Sequence, residues 1–241
     1  MEFYKSNAIL RIASVALFFI IWQTASSFIN IELLPSPAEV LSKVIEEAKT
    51  NELFFHTFIT LKRVFISFFI AMFIGTFFGI YMGRNKKLNI FLDDWLVLGL
   101  NVPALVIIIL CYVWFGLNEA AAILAVSLNK IPMVAVIMRE GARSIERDYV
   151  EVAKFYKVNK SKLFFKVIFP QLYPYLLSSA RSGLSLIWKI VLVVELLGRS
   201  NGVGFKLYGF FQFFDISGIL AYTLAFVFLI IIIEFIIVRP F

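Results

Sequence analysis

The sequence predicts an all-α polytopic membrane protein with six transmembrane helices and a long polar loop between the fourth and the fifth. Three observations carry that expectation. Of the 241 residues 61% are hydrophobic, with a mean hydropathy of +0.90, well above the composition of a soluble domain. Phe alone occurs 28 times, more than a soluble core of this size needs. The basic residues cluster between apolar runs, each long enough to span a bilayer at about 20 residues. That arrangement turns a net charge of +7 away from a nucleic-acid partner and toward the marking of cytoplasmic loops.

The first span covers about residues 8–29. Lys5 and Arg11 precede its apolar stretch and no small-residue cleavage site follows, so it reads as a retained helix. Leu34-Pro35-Ser36-Pro37 then opens a polar stretch with a short amphipathic helix through Val40, Val44 and Ala48. Span two, residues 58–82, stops at Gly83-Arg84-Asn85-Lys86-Lys87. It carries Ser67, Ala71, Gly75, Gly79 and Gly83, each four residues from the last. Small residues at that spacing form a groove in which a second helix backbone can approach closely.

Spans three and four cover residues 92–115 and 120–138. Pro103 and Pro132 sit inside or near their ends, where a proline frees a carbonyl and bends the helix. Asp93 and Asp94 open span three, where acids complement the helix dipole. Cys111 stands alone in an apolar run, so no disulfide forms within the chain and an inert buried thiol is expected. The polar loop 139–170 follows, then span five at residues 173–197 and span six at 219–238, with Glu234 at the inner interface.

Between residues 139 and 166 eight basic residues stand against four acidic ones, and the 84–87 turn is basic with no acid in it. Both loops are therefore expected in the cytoplasm. Two spans separate them, and six spans place both termini there as well. Lys62 and Arg63 fall on the outer side and are exceptions to the rule.

Within the long loop Tyr149, Val152, Ala153 and Tyr156 recur at i, i+3, i+4 and i+7, giving one apolar helical face. Asn159 or Ser161 is placed to cap a second short helix running through Leu163, Phe164 and Val167 to Pro170. An apolar face at a membrane surface needs lipid or a partner protein to cover it. In span five, Lys189 and Glu195 are six residues apart and point to different faces. For Glu195 a structural bond within the bundle is expected. For Lys189 three readings stand: it attracts an anionic solute, pairs with Asp93, Asp94 or Glu195, or snorkels to the interface.

Several runs in order resemble the permeases of binding-protein-dependent importers. Glu151-Val152-Ala153-Lys154-Phe155-Tyr156-Lys157, reaching Val167-Ile168-Phe169-Pro170, is similar to the "EAA" loop of that family. Glu151, Ala153 and Pro170 match its pattern, and Lys157 stands where the pattern has glycine, with Asn159 nearby as the residue to take the left-handed turn instead. Leu34 to Val40, Thr60-Leu61-Lys62-Arg63-Val64, Val102-Pro103-Ala104 with Trp114-Phe115-Gly116, Ala180 to Leu184, Trp188, Glu195-Leu196-Leu197 and Asn201-Gly202-Val203-Gly204 resemble its nitrate/sulfonate/taurine/bicarbonate-type branch.

The resemblance implies a multi-pass subunit of the inner membrane, surrounded by lipid, that imports a small anionic or zwitterionic solute. It works as a dimer of two permease copies, receives solute from an extracytoplasmic binding protein, and is driven by a separate ATPase dimer. ATP and Mg belong to that ATPase, and this chain binds no cofactor and catalyses nothing. The implied ATPase-coupling residues are Glu151, Val152, Ala153, Phe155, Tyr156, Lys157 and Pro170. Path or gate candidates are Pro103, Trp188, Lys189, Glu195, Asn201, Gly202 and Gly204. The residues themselves agree: no G-x-x-x-x-G-K-[ST] phosphate loop is present, and His56, the single histidine, has no second ligand at metal spacing. The alternative is a solute-binding or scaffolding membrane protein that acts without an ATPase. An intramembrane enzyme would need a convergent polar cluster at mid-depth, for which only Lys189 is a candidate.

Overall fold

The computed structural model describes residues 2–29 and 34–234. Within them every regular element is a helix: α1 (Glu2–Ile29), α2 (Pro37–Lys49), α3 (Glu52–Arg84), α4 (Lys86–Asn101), α5 (Ala104–Phe115), α6 (Glu119–Arg143), α7 (Arg147–Phe155), α8 (Lys160–Leu163), a π-helical turn (Phe164–Ile168), α9 (Phe169–Gly198), α10 (Val203–Gln212) and α11 (Ile216–Ile233). By length and composition α3, α6 and α11 can each cross a membrane, and α4 with α5 passes as a bent pair. The apolar part of α1, Ala13–Phe28, is shorter. The end of the sixth expected span, from residue 235 on, lies outside the described residues.

Local sequence explains where the helices begin. Ser36 and Glu39 form a reciprocal capping box, Glu39 N–H donating to Ser36 Oγ at 3.3 Å and Ser36 N–H to Glu39 Oε2 at 2.7 Å, which satisfies two otherwise orphaned donors. Asn118 accepts from Ala121 N–H at 2.9 Å and starts α6; Asp215 accepts from Gly218 N–H at 2.8 Å and starts α11.

The centre of the bundle is the parallel pair α3 and α6, and the small-residue ladder is what joins them. Ser67 and Ala71 are fully buried, and Ser127 Oγ donates to the Ser67 carbonyl at 3.4 Å. A Cβ placed on Gly79 would lie 2.5 Å from the Ala135 carbonyl oxygen and 2.8 Å from Met138 Cβ. Only a residue without a side chain lets the two backbones meet there. Gly75 and Gly83 face Val134 and Ala142 in the same way. α9 runs antiparallel to this pair and seals it with Ile187, Trp188, Val191 and Val194, while Tyr222 and Phe226 of α11 close the far side.

Three expectations change. Span three is broken: α4 and α5 meet at 97°, because Pro103, extended at φ −58° and ψ 135°, ends one helix and caps the next. Asp93 lies inside α4, which begins at Lys86, well past its N-terminus, and pairs with Arg139 of α6. The segment after Glu195, expected as a loop up to the last span, contains α10, seated on α9 through Val203 and Gly204.

Candidate functional site

Two sites occupy opposite ends of α9, roughly 40 Å apart at 1.5 Å per residue. At one end a buried polar cluster gathers Glu195, Asn201, Gly202 and Gly204 as the sequence suggests, but around a residue it does not single out, Arg63. This guanidinium is 1% exposed, and all five of its N–H groups have partners. Nε and Nη2 grip the Glu119 carboxylate at 2.9 and 2.8 Å; Nη1 donates to Glu195 Oε1 at 2.7 Å and to the Asn201 carbonyl at 2.8 Å; Nη2 also reaches Asn201 Oδ1.

Glu195, itself fully buried, also accepts from Thr60 Oγ1 at 2.9 Å and Gly204 N–H at 2.9 Å. Thr60 Oγ1 accepts from Val203 N–H at 2.8 Å, and His56 Nδ1 accepts from Gly202 N–H at 2.9 Å. Because Nδ1 accepts, the His56 proton sits on Nε2 and is directed to Glu52 at 3.1 Å. Gly202 has φ +110°, and a Cβ there would collide with the Glu195 carboxylate. The 199–202 turn is thus bolted down by α3, α6 and α9 together. The signal for Arg63 was present: an arginine within an apolar helix must find acids.

Trp188 and Lys189 do not join this cluster. Trp188 is buried edge-on against Phe226, with ring centroids 5.9 Å apart. Lys189 is exposed beside a cavity of about 360 Å³ between α9 and α11, also lined by Arg181, Ser185, Thr223 and Glu234. Among the described residues Lys189 forms no ion pair with Asp93, Asp94 or Glu195; Asp93 pairs with Arg139 and Glu195 with Arg63.

At the other end α7 and α8 form the predicted helix-turn-helix, and α8 runs on without a break through the π turn into α9. Ala153 is 8% exposed, mostly covered by the chain's own residues. Tyr149, Val152, Phe155 and Tyr156 stand 55–80% exposed. With Val167 and Pro170 several of them rim a shallow apolar hollow. Glu151 lines a separate cleft with Arg84, Arg143 and Lys154, so the two basic loops lie at the same end of the bundle.

Asn159 does not make the left-handed turn. Lys157 does, at φ +51°, while Asn159 at φ −56° caps α8 by accepting from Ser161 N–H at 3.2 Å. A lysine in that conformation costs about 1–2 kcal/mol. Lys157→Gly is expected to stabilise the loop by up to about 1 kcal/mol after the entropy that glycine adds to the unfolded chain. Hydrogen exchange at the amides of residues 156–158 should slow several-fold; faster exchange contradicts this.

Against known sequences, the family described as "Binding-protein-dependent transport system inner membrane component" matches residues 71–239. The chain is 34% identical over 187 residues to the putative aliphatic sulfonates transport permease protein SsuC of Escherichia coli K12, covering 77% of this chain and 71% of that one. It is 26% identical to the taurine transport system permease protein TauC of the same organism (88% and 80% covered) and 29% identical to the bicarbonate transport system permease protein CmpB of Synechococcus elongatus (85% and 77%). In fold it is similar to a chain of the inward-facing MetNI methionine ABC transporter, with TM-score 0.63, 21% identity and coverage of 75% and 92%. A chain of an amino acid ABC transporter gives TM-score 0.60 at 20% identity, covering 82% and 98%.

Proposed function

The chain belongs to the binding-protein-dependent transport system inner membrane components, and from that membership we propose how its two ends are used. It is a permease subunit of an ATP-binding-cassette importer, in the branch of the sulfonate, taurine and bicarbonate permeases. In our reading two copies enclose the path, the chain crosses the inner membrane six times, and both termini and the 139–170 loop face the cytoplasm. A separate ATPase pair supplies ATP and Mg²⁺ chemistry, and an external binding protein delivers a small anionic or zwitterionic solute to the end that holds Arg63.

One observation carries this reading: α7 presents Tyr149, Val152, Phe155 and Tyr156 uncovered, at the basic end of the bundle. Exposed aromatics clustered on a short helix are the anchors expected of a protein interface. A push on α7 is passed on through α8 and the π turn to α9, whose far end holds Glu195. The Arg63 cluster then serves as the fixed outer end against which the inner end moves. Glu151, Lys157 and Pro170 shape the loop that delivers the push.

The test is solute-stimulated ATP hydrolysis by the chain co-assembled in lipid with candidate ATPase subunits. Phe155→Ala with Tyr156→Ala removes only exposed side chains, so the melting temperature should stay put. Hydrolysis or ATPase affinity should fall at least about tenfold, as for truncated interface anchors. A wild-type chain that recruits no ATPase would return the α7 face to the lipid surface and defeat the coupling reading.

A further inference from the structure

One cation in the bundle is left unexplained by coupling and by the Arg63 cluster. Lys130 lies midway along α6 and is 2% exposed. Its Nζ reaches the Ser182 carbonyl at 3.3 Å and Met133 Sδ at 2.6 Å. Among the described residues it forms no ion pair; Glu195 is held by Arg63 and Asp93 by Arg139. An ammonium has three N–H donors, and a thioether is a weak acceptor. A buried charge in a membrane without a counter-ion is costly and marks function more often than structure.

The place it points to is also unusual. Ser182 is half-buried at the middle of α9, and beside it Ser178, Arg181, Ser185 and Lys189 are exposed at steps of three and four residues. They make one polar stripe about 17 Å long. The exposed faces elsewhere are apolar: Phe69, Phe73 and Phe77 on α3, Phe228 and Ile231 on α11. Those faces suit lipid, whereas hydroxyls and two cations at the same depth suit water. The Ser182 hydroxyl already donates to the Ser178 carbonyl at 2.8 Å, so the positive charge at this level comes from lysine and arginine alone.

We infer that Lys130 is the point of anion selection in the solute path: its ammonium, held behind Ser182, takes a small oxyanion such as a sulfonate or carboxylate head as its missing counter-ion. This rests on the permease reading above. Lys189 draws anions along the stripe, and Lys130, less hydrated, discriminates. A neutral solute gains nothing from the site, and a cation is repelled.

The experiment uses the complete importer, with its binding protein and ATPase, in liposomes. Uptake of labelled ethanesulfonate, taurine and bicarbonate is measured for wild type and Lys130→Met. The expected result is at least a tenfold loss of oxyanion uptake with assembly unchanged. Where Lys130→Met fails to assemble, Lys130→Cys in a Cys111→Ala background decides. Aminoethyl methanethiosulfonate, which restores a cation, should rescue uptake, and the neutral methyl reagent should not. Uptake by Lys130→Met at the wild-type rate, or equal behaviour with both reagents, overturns the inference. Wild type that couples to its ATPase but takes up none of the three anions overturns it too, leaving the importer reading intact. A wild-type chain that never couples overturns that reading first.

Discussion

Arg63→Ala should destabilise the end of the bundle that holds Glu195 by about 3–5 kcal/mol, the usual cost of removing one partner from a buried ion pair. The reason lies in what is left behind. Glu195 is fully buried and would keep only Thr60 and Gly204 N–H as donors. The Asn201 carbonyl and side chain would lose their anchor, freeing the 199–202 turn. In a chain of this size such a loss corresponds to a melting shift of roughly 10 °C. Glu195→Gln should cost less, because the amide oxygen still accepts from Gly204 and Arg63 keeps its two-pronged grip on Glu119. Replacing Arg63 and Glu195 together by methionine should recover part of the loss, since no charge is then stranded. The readouts are thermal unfolding in detergent and protease cleavage in the 199–202 turn. A shift below about 2 °C for Arg63→Ala would mean that water reaches the cluster and that it is no anchor.

The features legible in the sequence are those fixed by short-range periodicity. The ladder from Ser67 to Gly83 announces its own partner helix, because four-residue spacing of small side chains has one geometric use, and it meets α6 along its whole length. The amphipathic character of α2 and α7 is likewise written in their i, i+3, i+4 pattern. What stays hidden depends on contacts distant in sequence. Arg63 finds Glu119, Glu195 and Asn201 across 56, 132 and 138 residues; the sequence says that it must find acids but not which ones. Lys130 is silent in the sequence because one lysine in a span interrupted by Pro132 carries no sign of its depth or partners. Pro103 reads as a bend, but whether a proline bends or breaks a helix is decided by packing. Here Gly99 lies against Pro132, and the chain turns by 97°.

Ala153→Asp should uncouple the ATPase more completely than any change to the exposed aromatics, although Ala153 is itself largely buried. At 8% exposure, its methyl faces the hollow rimmed by Val167 and Pro170. A carboxylate there has Val158, Val167 and Pro170 for neighbours, with Lys166 and Gln171 as the polar groups of the same hollow. Desolvating a charge among so many apolar groups is still costly, and a nine-residue helix on a loop has little local stability to offset it. The cheaper outcome is for α7 to leave its seat. Its register on the π turn would then be lost, together with the bonds at its two ends, Glu146 N–H to Gln171 and Val158 N–H to the Ala153 carbonyl. ATPase affinity should drop by more than about a hundredfold, and residues 147–163 should become protease-sensitive while the α3–α6 core melts as in wild type. Ala153→Ser, small and able to bond the Tyr149 carbonyl one turn back, should keep most of the coupling. If Ala153→Asp instead leaves the loop protected and weakens only ATPase binding, Ala153 belongs to the contact surface after all, and α7 must rotate when the ATPase docks.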